Sequence, residues 1–91
     1  MTVTCDGSEL FTVESTGGFR FSPNNVTIPK DGVVKFESGS NHNVIPGAAP
    51  TDPGLRISAF GATGCLKFTA TGTFNFRCQP HSSMTGSIIV N

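Results

Sequence analysis

Apolar and polar residues alternate along this chain with a period of two, in short runs that never settle into a helical repeat. Val3 and Cys5 share one face of a first run. Leu10, Phe11 and Val13 lie in a second, between Glu9 and Glu14, and Phe19-Arg20-Phe21 resumes the alternation. Val26 and Ile28 follow, then Val34 and Phe36, then Cys65-Leu66-Lys67-Phe68-Thr69. Phe74 and Phe76 alternate toward Cys78, and Ile88 and Val90 alternate toward the end. Each run has the length and the flanking residues of a strand.

Turn residues separate the runs every eight to twelve positions or so: Asp6-Gly7-Ser8, Ser15-Thr16-Gly17-Gly18, Ser22-Pro23-Asn24-Asn25, Pro29-Lys30-Asp31-Gly32 and Ala70-Thr71-Gly72. Pro46 to Gly54 is rich in Pro, Gly and Ala and reads as a loop, whereas Leu55 to Phe60 is ambiguous between a short strand and an irregular excursion. The pattern predicts an all-β fold, an antiparallel Greek-key β-sandwich of seven to eight strands in a single domain covering residues 1–91. A sandwich this small has room between its sheets only for side chains, so a functional site belongs in loops at one end.

Composition sharpens this picture. Eight Phe with no Trp or Tyr supply large apolar area without further polar atoms to satisfy. Six basic and six acidic residues cancel, which argues against nucleic acid or an anionic membrane as a partner. No apolar run approaches a membrane span, and the first residues carry neither a basic region nor an apolar stretch. For an exported protein, this sequence would be the processed form with an added Met1.

Three cysteines make one pair and one remainder. With Cys78 claimed by the C-terminal loop, Cys5 and Cys65 are left either as a disulfide or as two buried free thiols. A bridge closing about sixty residues would contribute roughly 4 kcal/mol on a chain-entropy account and would imply an oxidising compartment.

The candidate chemistry gathers in Cys78-Gln79-Pro80-His81-Ser82-Ser83-Met84, where a thiolate, an imidazole and a thioether recur at three-residue intervals between two strands. A soft Cys, a borderline His and a weak Met suit a copper ion cycling between Cu(I) and Cu(II), which takes two imidazoles and a thiolate with a long axial thioether. His42 supplies the second imidazole. Taken singly, His42 reads as a surface histidine, Met84 as core filler and Cys78 as a buried thiol. Together those readings weaken, because both His and the only internal Met of the chain fall at these positions. Zinc on Cys5, Cys65, Cys78 and His81 is the competing assignment; it lacks a close Cys pair and leaves Met84 unexplained.

The loop, His42-Asn43-Val44 and the run Gly72-Thr73-Phe74-Asn75-Phe76-Arg77 leading into Cys78 together resemble the cupredoxins, the small blue-copper proteins of the plastocyanin and amicyanin type. The likeness extends from about Phe19 to Val90, and the short gap between His81 and Met84 is closer to amicyanin. The resemblance implies His42, Cys78, His81 and Met84 as ligands of one copper ion. It also implies that Asn43 ties the two ligand loops together, with a backbone N–H donating to the thiolate. A Cys5–Cys65 bridge would depart from those relatives, as does the lack of an acidic patch and of a Tyr beside the Cys strand.

The expected function is one-electron transfer between redox partners, with His81 nearest solvent in an apolar rim of Pro46, Ala48, Ala49, Pro80 and Met84. A rim without charge suits weak, transient docking by a monomer. The protein would then be no enzyme, since a copper oxidase needs a second centre with more His than this chain holds. It would work in the periplasm or outside the cell. A copper carrier or store without electron transfer is the alternative, and a metal-free interaction sandwich is a third.

Overall fold

A computed structural model describes all residues from 1 to 91. Eight strands and no helix make up the fold: β1 (Thr2–Val3), β2 (Phe11–Glu14), β3 (Asn25–Ile28), β4 (Val33–Glu37), β5 (Ile45–Pro46), β6 (Thr63–Lys67), β7 (Gly72–Arg77) and β8 (Thr85–Val90). They form two four-stranded sheets, ordered β1-β6-β4-β2 and β3-β8-β7-β5. After β2 the chain passes from one sheet to the other at every link until the β7–β8 hairpin.

The expected sandwich therefore forms, with one refinement. The sheets are mixed: β2 runs parallel to β4 and β3 parallel to β8, while the remaining pairs are antiparallel. Parallel neighbours need long crossovers, and here the excursion through the opposite sheet provides them.

The core fills from both inner faces. Val13, Val34, Phe36 and Leu66 come from one sheet and Val26, Ile28, Phe76, Ile88 and Val90 from the other, in one cluster of buried side chains. Phe76 is the hub, meeting Phe21 edge-on at 4.8 Å and Phe36 at 5.4 Å between ring centroids. Edge-to-face contact at these distances adds about 1 kcal/mol per pair to the apolar burial.

The inward alternation of β7 carries past its end into Cys78, and that of β8 reaches back to Met84. Six register pairs from Gly72↔Val90 to Arg77↔Thr85 fix this hairpin, so the connecting loop 78–84 emerges at a defined place on the sandwich. Cys5 and Cys65 are joined in a disulfide, which excludes the reading as two free thiols and stitches the N-terminal segment to β6.

Two stretches depart from the sequence pattern. Phe19-Arg20-Phe21 is no strand, because Gly18 takes a positive φ of 126° and throws Phe19 outward before Phe21 returns to the core. Leu55 to Phe60 is an irregular excursion pinned by one bridge between Val44 and Ile57, with Leu55 plugging the core.

Candidate metal centre

Two loops at one end of the sandwich meet. The first follows β4, where a turn places the His42 N–H on the Gly39 carbonyl at 3.0 Å. Gly39 is required here, since a Cβ would stand 2.7 Å from the Ser15 carbonyl oxygen and 3.0 Å from Cδ2 of the His42 ring. The His42 carbonyl in turn accepts from the Gly61 N–H. Held from both sides, His42 is 7% exposed.

The second loop joins β7 to β8. Its ends are closed by the Cys78 N–H donating to the Met84 carbonyl at 3.0 Å, and the Met84 N–H donates to the His81 carbonyl at 2.9 Å. Those two bonds turn His81 back over Cys78 and set Met84 beside it. Cys78 and Met84 are buried, and His81 is half-buried, so it is the imidazole that reaches solvent.

Cys78 Sγ lies 3.7 Å from His42 Nδ1 and 3.6 Å from His81 Nδ1. The three donor atoms all fall within 4.8 Å of one another. A divalent ion bonded to sulfur at about 2.3 Å and to nitrogen at about 2.0 Å, with about 120° between bonds, separates those atoms by about 3.7 Å. The spacing thus fits one ion on two imidazoles and a thiolate, with a thioether-bearing side chain buried at the base of the same loop.

Asn43 couples the two loops as expected. Its Oδ1 accepts from the Gln79 N–H at 2.9 Å, and its Nδ2 donates to the Ser58 carbonyl at 3.1 Å and to Gln79 Oε1 at 3.3 Å. The backbone N–H expected on the sulfur is absent, and the polar neighbours of Sγ are the two imidazoles. The competing zinc set does not exist, because the disulfide consumes Cys5 and Cys65.

The rim around His81 also differs from the sequence reading. Met84 is buried, and Ala48 sits down the side of the sandwich with its carbonyl on the Asn75 amide. In their place stand two aromatic residues. Phe19, 74% exposed, meets the His81 ring at 4.8 Å and the His42 ring at 5.8 Å, both edge-on. Phe60, 57% exposed, lines a shallow cavity of about 280 Å³ with Ser40, Asn41, Pro80 and His81. The only signal for either in the sequence was an adjoining glycine, Gly18 before Phe19 and Gly61 after Phe60.

Comparison with known proteins agrees with this geometry. The sequence profile of the copper binding proteins, plastocyanin/azurin family, matches residues 8–91. A chloroplastic plastocyanin of Chlamydomonas reinhardtii is 33% identical over 88 residues, covering 82% of this chain and 61% of that protein, so the chain spans less than two thirds of that relative. The plastocyanin of Vicia faba is 29% identical over 98 residues, covering 91% of this chain and 99% of its own. Among solved structures, a reduced Cu(I) form of an amicyanin variant superposes with a TM-score of 0.71 at 21% identity, over 97% of this chain and 86% of that one. Oxidised plastocyanin from Dryopteris crassirhizoma gives 0.67 at 25% identity, over 88% and 99%.

Proposed function

The chain belongs to the copper binding proteins of the plastocyanin/azurin family, and from that membership we propose that His42, Cys78, His81 and Met84 hold one copper ion in a blue-copper electron-transfer domain spanning residues 1–91. The observation that carries the assignment is the pair of imidazole Nδ1 atoms, 3.6 and 3.7 Å from one buried thiol sulfur. Copper would supply the Cu(II)/Cu(I) couple, and the protein supplies donors whose loops are already tied in place. His42 is wedged between Gly39 and Gly61, and Asn43 locks its loop to the ligand loop. Locked donors keep reorganisation small, which is what fast one-electron exchange requires.

His81 is the electron entrance, being the one donor that reaches solvent. Phe19, Phe60 and Pro80 around it offer an apolar contact with little charge, suited to weak, short-lived docking of redox partner proteins by a monomer. Both histidines of the chain are spent at this site, which leaves none for a second copper centre and supports an electron carrier over a copper oxidase. The disulfide requires an oxidising compartment, and we place the protein in the periplasm or outside the cell. No helix is long and apolar enough to cross a membrane.

Titrating the apoprotein with Cu(II) near neutral pH tests this reading. Intense visible absorption at one equivalent, with a reversible one-electron voltammogram, is the expected result. A colourless, air-stable Cu(I) complex would make the protein a copper carrier or store instead, and no binding would leave a metal-free interaction domain.

A further inference from the structure

The residue before the thiol ligand, Arg77, folds its side chain along the ligand loop instead of into solvent. Its Nη1 donates to the Cys78 carbonyl at 3.2 Å and to the Gln79 carbonyl at 3.3 Å. The single ion pair of the fold joins Lys35 and Glu37, so no carboxylate neutralises the guanidinium. A guanidinium keeps its charge across the working pH range, and here one planar amino group, Nη1, directs its two hydrogens to the two carbonyls.

The peptide between Cys78 and Gln79 accepts from Arg77 at its oxygen and donates from its nitrogen to Asn43 Oδ1 at 2.9 Å. Bonds in series polarise one another, so the charge on Arg77 strengthens the link that Gln79 makes to Asn43. Asn43 follows His42 directly, and the relay therefore runs from Arg77 through the thiol ligand's own peptide to the other ligand loop.

We propose that Arg77 is a positioning residue of the copper site with an electrostatic second role: its paired bonds from Nη1 fix the entry of the ligand loop, and its charge favours Cu(I) over Cu(II). The proposal rests on the copper reading above. A fixed cation beside the site opposes the extra positive charge of Cu(II), and the effect weakens as salt screens a partly exposed group.

Two variants separate the roles, since Arg77→Gln removes the charge and keeps an amide donor, while Arg77→Lys keeps the charge on a tetrahedral ammonium and loses the planar amino group. The expected result for Arg77→Gln is a loss of about three- to tenfold in the preference for Cu(I), the upper end being 59 mV for one electron, and a smaller loss at 1 M salt. Arg77→Lys should hold the preference within about twofold of the parent. In the metal-free protein, hydrogen exchange at the Gln79 amide should rise about three- to tenfold in Arg77→Lys, where the planar Nη1 group is lost. Equal potentials in parent and Arg77→Gln, or equal losses in both variants, would overturn the electrostatic role, and unchanged Gln79 exchange would overturn the clamp. A parent protein with no one-electron copper couple would instead sink the copper reading and the electrostatic role together, with the exchange measurement still deciding the clamp.

Discussion

Asn43 and Gln79 hold each other at two points across the two ligand loops: the Gln79 N–H reaches Asn43 Oδ1 at 2.9 Å, and Asn43 Nδ2 reaches Gln79 Oε1 at 3.3 Å. Asn43 is fully buried, so truncating it to Ala strands the Gln79 N–H and the Ser58 carbonyl as well as leaving a hole. The expected cost is about 2–4 kcal/mol of apoprotein stability, read by denaturant unfolding. Copper affinity should fall as well, because His42 and Cys78 then move independently. A variant as stable as the parent would show that the tie is dispensable.

Replacing Met84 by Leu conserves volume at a buried position and should cost less than about 1.5 kcal/mol. The visible band of the copper form should survive while the reduction potential rises, since an alkyl group gives Cu(II) nothing in exchange for the thioether. An unchanged potential on voltammetry would remove Met84 from the ligand set.

The disulfide and the site share no atoms. Cys5→Ser together with Cys65→Ser should lower stability by about 2–5 kcal/mol. For a domain of this size each kcal/mol moves the melting temperature by about 4–8 °C. The copper absorption of the still-folded variant should be unchanged at low temperature. A lost band under folded conditions would mean that the bridge sets ligand geometry.

Gly39 leaves no room for a methyl group between the Ser15 carbonyl and the His42 ring. Gly39→Ala should cost about 1–3 kcal/mol, and the His42 ring should be displaced, shifting the copper absorption and electron spin resonance spectra. Parent-like spectra would indicate that the Ser15 loop yields and His42 stays.

Phe19 has most of its surface in water, so Phe19→Ala should change stability by less than about 1 kcal/mol. The electron self-exchange rate should nonetheless fall severalfold, because the apolar contact over His81 is lost while the copper spectrum stays near that of the parent. A rate equal to the parent's would place docking elsewhere.

Which parts could be read from the sequence follows from the range of the forces involved. The alternation of Phe74 and Phe76 is local, and the strand expected from it forms, with Phe76 and then Cys78 buried. Asn43 followed from likeness to relatives and was found tying the loops as expected. The direction of β2 beside β4 was not legible, since a four-residue strand carries the same alternation whichever way its neighbour runs. Nor was Phe19: one left-handed glycine before it outweighs the pattern, and an apolar residue expected in a strand becomes part of the surface over His81. Leu55 is buried with no strand around it, a placement decided by packing across the sandwich and not by its neighbours in the chain.

The pairing of Cys5 with Cys65 leaves Cys78 as the sole reduced sulfhydryl, and it has no exposed surface. In the folded protein that bridge is the one disulfide the three sulfurs make. Once folded, the polypeptide offers oxidants no second thiol with which to trap its own metal-binding sulfur, and the same environment that closes the bridge leaves the ion's place open.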